Sequence, residues 1–213
     1  MQEAHTLPED PRWIQMVRRL VEEAGILNED VERTVFQAFA SLQRTNFAEG
    51  FSERQVFQDI DLSLPHGAWL TRPSIQIRMM GLINLRRRMR ILELGFGSGY
   101  LCAVMAAAGA QVFGLELNTS VAQSSRKQLD TLGLHGIVVR RGDGRKGWED
   151  VSPFDAIVVS YAVTSEDDLP LAQLAEGGTL VAPLVWEDCT RLAVWRMTDG
   201  RVRRVLFEPV EFR

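Results

Sequence analysis

Three closely spaced glycines and a later acidic residue are the features of this chain that point most clearly to chemistry. Gly95, Gly97 and Gly99 follow the apolar residues 91–94, and Glu116 comes about 20 residues later, near the end of the next apolar run. Glycines at the end of a buried strand let the backbone approach a nucleotide-like ligand, and a carboxylate one strand further on can accept hydrogen bonds from both hydroxyls of a ribose. The pattern predicts a cofactor-dependent enzyme.

The spacing of the glycines indicates which cofactor is bound. A turn that holds a pyrophosphate has its third glycine three positions after the second, where this chain has Tyr100. Glycines at alternate positions, with Glu93 on the strand before them, favour a flat, cationic amino-acid group; Glu93 can hold the turn or reach an ammonium through a water molecule. S-adenosylmethionine fits this description. A dinucleotide-dependent oxidoreductase is the competing hypothesis, and Tyr100 argues against it.

A second acidic residue extends the predicted site toward the adenine. Asp143, in the sequence Arg-Gly-Asp-Gly, closes the third predicted strand and could accept a hydrogen bond from an adenine amino group. We therefore predict cofactor contacts at Glu116 and the adjoining Leu117, and at Asp143 and the adjoining Gly144. Either acid alone could simply cap a helix or a turn, but their order after the glycines favours a binding role.

The elements that must position these residues alternate as in an open α/β sheet. We predict strands at 90–94, 111–117, 136–140, 156–160 and 179–183, and helices at 100–108, 119–132 and 167–175. Two N-terminal helices, at 11–25 and about 30–42, form a helical cap, and another helix covers residues 75–82. Gly177 and Gly178 are expected to form a turn before a strand, while Asp199-Gly200 predicts a hairpin between segments 191–197 and 202–208. The fold class is a Rossmann-like α/β domain with a mostly parallel sheet, helices on both faces and an antiparallel C-terminal edge hairpin.

The composition is that of an ordinary soluble protein. The chain has 213 residues and a formal net charge of −4, which disfavours a general electrostatic grip on nucleic acid. No stretch approaches the roughly 20 apolar residues of a membrane span, and the N-terminus does not read as a signal peptide. Two distant cysteines and three scattered histidines offer no metal-ligand spacing. We expect a cytoplasmic, monomeric enzyme in which residues 1–213 form one domain, divided at residue 73 between the N-terminal cap with the substrate loop and the cofactor-binding core.

The order of these segments resembles one family. The segments that carry the resemblance are 91–100, 114–116, 142–144 with 147–148, 154–159, and 174 with 177–181 and Pro183. Together they resemble the protein-L-isoaspartate O-methyltransferases, which are class I S-adenosylmethionine-dependent methyltransferases. Upstream, residues 31–47 resemble the helix of that family and its Pro-Arg-x-x-Phe-like end. The likeness runs from about Trp13 to the C-terminus.

The resemblance implies an activity and a substrate loop. Members methylate the side carboxylate of an abnormal isoaspartyl residue in damaged proteins, and their loop reads His-Gly-Gln-Thr-Ile-Ser-x-Pro where this chain has residues 66–73. Thr71 then stands at the position of the active-site serine of the family and is our candidate catalytic residue. The resemblance further implies substrate contacts at His66, Trp69 and Leu70, and Gln76 facing the amino-acid end of the cofactor.

The loop also departs from the family, which leaves alternatives open. Ala68 and Trp69 replace an amide and a hydroxyl, so the acceptor is either an isoaspartyl peptide or another carboxylate, such as a modified peptide aspartate or a small acid. A cofactor-binding module without activity is a further alternative. Because a carboxylate is already ionised at neutral pH, no general base is expected. Thr71 would orient the carboxylate, cap the helix that begins at Pro73, or do both.

Overall fold

The computed structural model describes residues 10–212 of the chain. Its helices are α1 (Pro11–Glu23), α2 (Glu29–Ala40), α3 (Glu53–Val56), α4 (Pro73–Leu82), α5 (Tyr100–Ala107) and α6 (Thr119–Thr131). Its strands are β1 (Leu62–Ser63), β2 (Trp69–Leu70), β3 (Arg90–Leu94), β4 (Gln111–Glu116), β5 (Ile137–Arg141), β6 (Phe154–Val159), β7 (Leu174–Trp186), β8 (Cys189–Thr198) and β9 (Arg201–Pro209).

A seven-stranded sheet forms the centre of the fold, in the order β5-β4-β3-β6-β7-β8-β9. The five strands from β5 to β7 are parallel, and β8 and β9 continue the sheet in antiparallel pairing. This arrangement confirms the predicted fold class. Because parallel strands end at the same edge, the segments after β3, β4, β5 and β6 converge at one end of the sheet, which is where open α/β folds bind ligands.

The N-terminal cap is confirmed, and its helices begin at residues suited to starting a helix. The carboxylate of Asp10 accepts from the backbone N–H of Arg12, at 2.8 Å, ahead of a proline at the first helical position. Asn28 caps α2 in the same way. The apolar sides of these helices bury Trp13 and Phe39 in one hydrophobic cluster with α4, α5 and one face of the sheet.

The opposite face of the sheet is covered differently. Its hydrophobic cluster contains Trp148, Leu169 and Leu174, which come from short segments between the strands and from the start of β7. The helix predicted at 167–175 is wrong: the segment forms two single-turn 3-10 helices, Glu166–Asp168 and Leu171–Gln173. Pro170 accounts for the break, since a proline removes a backbone donor and forces the residue before it out of the helical region.

Of two turns predicted in the C-terminal half, one is wrong and one is confirmed. Gly177 and Gly178 lie inside β7, where the pairing with β6 shifts register, so the predicted turn before the strand is wrong. The hairpin at Asp199-Gly200 is confirmed; both residues have positive φ, 52° and 66°, as two-residue hairpin turns require. Among residues 10–212, no helix is long and apolar enough to cross a bilayer. The single-domain organisation stays a prediction.

Candidate active site

The glycine turn and Glu116 meet at the carboxyl end of the sheet. The backbone N–H of Gly97 donates to one carboxylate oxygen of Glu116 at 3.2 Å, and the N–H of Asn118 donates to the other at 2.9 Å. A carboxylate offers about four lone-pair positions. The two backbone donors therefore fix the orientation of the Glu116 carboxylate and leave it acceptor capacity for a pair of hydroxyls.

The conformation of the turn requires glycine at each position. Gly95, Gly97 and Gly99 have φ values of 74°, 49° and 78°, in the left-handed region that other residues rarely adopt. A Cβ atom at Gly95 would stand 2.7 Å from a ring carbon of Tyr161, and one at Gly97 would stand 3.0 Å from the carbonyl oxygen of Trp69. Gly99 instead packs against a leucine of α6 and begins α5.

A cavity of about 390 Å³ opens beside this turn, within the size range of small-molecule sites. It brings together seven of the predicted site residues: Trp69, Gly95, Gly97, Glu116, Leu117, Asp143 and Gly144. Leu117 is 61% exposed and supplies an apolar surface at the cavity. The other predicted site residues, Glu93, Gly99, Thr71, Leu70, His66 and Gln76, do not line the cavity.

Glu93 lies beneath the turn and is almost fully buried. Its carboxylate accepts hydrogen bonds from the hydroxyl of Ser160, at 2.8 Å, and from the thiol of Cys102, at 2.9 Å. Burial raises the pKa of Glu93 to about 7, against the lowering effect of these two donors. Glu93 thus ties β3 to the end of β6 and to α5, and it supports the turn from below.

Asp143 has a structural role as well as a place in the cavity wall. One carboxylate oxygen accepts from the backbone N–H of Arg145, at 3.1 Å, and so caps the 3-10 helix that follows. The guanidinium of Arg145 binds both oxygens, at 3.1 and 2.9 Å, which lowers the pKa of Asp143. The capping role weighed from the sequence is therefore present, and Asp143 reaches the cavity as an ionised group.

The cavity residues that sequence reasoning missed include Ser160, Tyr161 and Arg145. The ring of Tyr161 spans the space between Gly95 and Gly144: its hydroxyl oxygen would stand 2.9 Å from a Cβ atom at Gly144. Burial, with nearby carboxylates, raises the pKa of Tyr161 to about 12. The signal for the first two was available, because they directly follow the strand β6 at the ligand-binding end of the sheet.

Thr71 follows β2 and is held by its backbone. Its carbonyl accepts from the buried guanidinium of Arg44, at 3.2 Å, and its hydroxyl makes no hydrogen bond with any part of the chain from 10 to 212. Asp59 and Asp61 accept from the N–H groups of Ser74 and Arg72 at the start of α4, so the helix cap weighed for Thr71 is made by other residues.

Arg44, which the sequence did not indicate as a site residue, holds the backbone of the substrate loop and of the segment before it. Its guanidinium is fully buried and donates to five backbone carbonyls, at 2.7 to 3.3 Å. These carbonyls belong to Val56, Gln58, Ile60, Leu70 and Thr71. Burial lowers the pKa of Arg44 to about 10, which leaves the group charged at neutral pH.

The remaining predicted contacts lie around the cavity. His66 has positive φ, 61°, its carbonyl accepts from the Asn118 amide, and it lines a smaller neighbouring cavity of about 120 Å³. Leu70 is fully buried in the main core. Gln76 is buried in α4, and its carbonyl oxygen has no hydrogen-bond partner among the described residues.

The sheet, the glycine turn and the Glu116 carboxylate at the end of β4 define a class I S-adenosylmethionine-dependent methyltransferase. The family model for protein-L-isoaspartate(D-aspartate) O-methyltransferase matches residues 15–212. A protein-L-isoaspartate O-methyltransferase of Shewanella halifaxensis is 34% identical over 194 residues, 91% of this chain and 90% of that protein. One of Stenotrophomonas maltophilia is 35% identical over 203 residues, 93% and 88% of the two chains. The chain belongs to the protein-L-isoaspartate O-methyltransferase family.

Solved structures agree with this fold. A protein-L-isoaspartate O-methyltransferase superposes with a TM-score of 0.82 at 23% identity, covering 93% of this chain and 64% of that longer chain. A Plasmodium falciparum structure described as a putative protein-L-isoaspartate O-methyltransferase, in complex with S-adenosyl-L-homocysteine, has a TM-score of 0.80 at 20% identity and covers 95% and 97% of the two chains.

Proposed function

We propose that this protein transfers the methyl group of S-adenosylmethionine to the side carboxylate of L-isoaspartyl residues in damaged proteins or peptides. The observation that carries the proposal is the hydrogen bond between the Gly97 turn and the Glu116 carboxylate. It lies beside a cavity to which the substrate loop contributes Trp69. Family membership supports the same acceptor. We further propose that the enzyme acts as a monomer in the cytoplasm and needs neither nucleic acid nor membrane.

The residues of the cavity suit the cofactor. Glu116 would accept from the ribose hydroxyls, Gly95 and Gly97 would face the amino-acid part, and Leu117 and Gly144 would flank the adenine. Asp143 keeps an oxygen, bound to one Arg145 nitrogen only, that could accept from an adenine amino group. When bound, S-adenosylmethionine supplies a methyl group on a positively charged sulfur, which a carboxylate oxygen can displace.

The acceptor needs orientation rather than deprotonation. An isoaspartyl carboxylate is ionised at neutral pH, so the chain supplies no base for it. The free hydroxyl of Thr71 would donate to one carboxylate oxygen and leave the other directed at the methyl group. The backbone contact from Arg44 to Thr71 would hold that hydroxyl in place. Gln76 and His66 would contribute at the edges of the site.

The test uses two synthetic peptides of one sequence, with isoaspartate or aspartate at a single position. The protein is incubated with each peptide and methyl-labelled S-adenosylmethionine, and base-labile methyl ester is counted. Labelling of the isoaspartyl peptide well above its aspartyl twin supports the proposal. If only the aspartyl peptide is labelled, the acceptor is a carboxylate other than isoaspartate, which is the alternative that Ala68 and Trp69 leave open. Cofactor binding without any labelling would indicate a binding module.

A further inference from the structure

A second cavity, larger than the one beside the glycine turn, lies away from the cofactor site. Its volume is about 640 Å³, and it is bounded by the α1–α2 connection, the second half of α4 and one face of the β8–β9 ribbon. Its apolar side chains include Ile26, Leu82, Val194 and Phe207. A cavity of this volume has the size of a small-molecule site. None of its lining residues lines the cavity beside the glycine turn.

Among residues 10–212, every charged side chain that lines this cavity, called the groove from here on, is positively charged. Arg78, Arg196 and Arg203 line it, and no aspartate or glutamate among residues 10–212 does. Within residues 10–212, neither Arg196 nor Arg203 forms an ion pair or a hydrogen bond through its side chain, and Arg78 only approaches the exposed Glu208, at 3.9 Å. The groove is therefore cationic on a chain whose formal net charge is −4.

Arg196 and Arg203 face each other directly across the ribbon. They are partners in the register of β8 and β9, as are Val194 and Val205 two residues along. Like charges directly opposite each other on neighbouring strands are destabilising. Charged residues on an edge strand can prevent it from pairing with another chain. That role could explain Arg203, which is on the edge strand β9, but not Arg196, which is on the interior strand β8.

The order of residues along the ribbon gives the groove a direction. Side chains at alternate positions share a face, so Arg203, Val205 and Phe207 succeed one another along β9 in the cavity wall. The paired guanidiniums stand at one end, and the side chains of Val205 and Phe207 follow, so that Phe207 lies about 13 Å along the strand from Arg203, at roughly 3.3 Å per residue. Guanidinium groups bind carboxylates through two parallel hydrogen bonds.

From this arrangement we infer that the groove is a binding site for a small amphipathic carboxylate, distinct from the cofactor and methyl-acceptor sites. The carboxylate head lies between Arg196 and Arg203, and an unbranched apolar body lies along Val194, Val205 and Phe207. The unfavourable pairing of the two arginines is relieved when the anion binds. The site can be occupied together with the cofactor, because the two cavities share no lining residue.

The experiment titrates the full chain with decanoate by calorimetry at low ionic strength, below the concentration at which decanoate forms micelles. The double substitution Arg196→Gln/Arg203→Gln removes the head site, and Arg54→Gln/Arg86→Gln removes the same charge from exposed positions outside the groove. We expect saturable binding by wild type and by the control. The groove variant should bind decanoate at least tenfold more weakly, and 1-decanol should bind alike in all three. S-adenosyl-L-homocysteine affinity and methyl transfer should be unchanged throughout.

Three further results would overturn the inference. The first is decanoate binding that does not saturate, or that both double variants retain equally. The second is a loss of thermal stability in the groove variant but not in the control, which would make the two arginines structural. The third is that decanoate fails to bind while wild type shows another interaction that the groove variant loses. If that interaction is self-association, seen by sedimentation velocity, the groove binds a second copy of the chain. If it is binding to anionic lipid vesicles, the groove binds a membrane.

Discussion

The carbonyl oxygen of Trp69 lies against Gly97, so close that a Cβ atom at position 97 would stand 3.0 Å from it. This contact joins the substrate loop to the cofactor turn. Because Gly97 also donates its N–H to Glu116, one residue couples the loop, the turn and the predicted ribose-binding carboxylate. A displacement of the loop, the turn or the carboxylate would therefore shift the other two.

Gly97→Ala tests that coupling. Gly133 is a matched control, since it has a similar positive φ, 63°, but nothing within 4 Å of an added Cβ. Both substitutions should lose about 1 to 2 kcal/mol of unfolding free energy because alanine is strained in the left-handed region. Gly97→Ala should lose more and should also weaken binding of S-adenosyl-L-homocysteine, measured by calorimetry. Equal effects of the two variants on stability and affinity would show that the Trp69 contact has no consequence.

Glu116→Ala should weaken cofactor binding. It removes charge-assisted hydrogen bonds to a ribose, worth about 1.5 to 3 kcal/mol, or roughly 10- to 150-fold in the dissociation constant for S-adenosyl-L-homocysteine. Glu116→Gln, which keeps the shape and one acceptor oxygen, should fall between this variant and wild type. Unchanged affinity in Glu116→Ala, in a protein that unfolds cooperatively, would remove the residue from the site.

Thr71→Ala should lower turnover rather than cofactor affinity. Loss of a hydrogen bond to the acceptor carboxylate should reduce kcat about tenfold, which corresponds to roughly 1.4 kcal/mol. Thr71→Ser retains the hydroxyl and should retain most of the rate. Steady-state kinetics on the isoaspartyl peptide, with calorimetry for the cofactor, separate the two effects. A parallel fall in kcat and in cofactor affinity would make the residue structural.

Glu93 should make the stability of the cofactor-free protein depend on pH. The pKa of Glu93 is raised from 4.5 to about 7 by burial, so the folded state holds the proton more tightly than the unfolded state. The contribution to stability is fully present below pH 4.5 and is lost as the pH rises through 7. Between pH 5 and pH 8 the loss of stability amounts to about 2.5 kcal/mol.

Urea unfolding of wild type and Glu93→Gln at pH 5, 6, 7 and 8 checks this expectation. The free energy of unfolding of Glu93→Gln should fall less over this range, because the variant has no proton to lose at that position. All other ionisable groups are common to both proteins, so the difference between the two curves isolates Glu93. Parallel curves would mean that the carboxyl is ionised over the whole range.

Local patterns were enough to predict most of the sheet and the cofactor turn. The strands β3, β4 and β6 and the helices α5 and α6 are signalled by apolar periodicity and by glycines at their ends, which are short-range features. The helix predicted at 167–175 is wrong because Pro170 interrupts the segment, which forms two 3-10 turns instead. In the structure, the residues from Leu174 onward pair with β6 instead.

Long-range contacts were not predictable in this way. The guanidinium of Arg44 meets carbonyls 12 to 27 residues away in the chain, and no local pattern specifies that an arginine will be buried in such a place. Likewise, Thr71 stands two residues after Trp69 in the sequence, but only the fold shows that Trp69 lines the cavity and Thr71 does not. The pairing of Arg196 with Arg203 depends on the register of the hairpin.

The most direct test of the account is a calorimetric titration of the purified, folded protein with S-adenosyl-L-homocysteine and, separately, with NAD. The turn with Tyr100 at the place of the third dinucleotide glycine, and with Glu116 held by Gly97, predicts saturable one-to-one binding of S-adenosyl-L-homocysteine and no binding of NAD. Saturable heat with NAD, or none with S-adenosyl-L-homocysteine, would contradict the account.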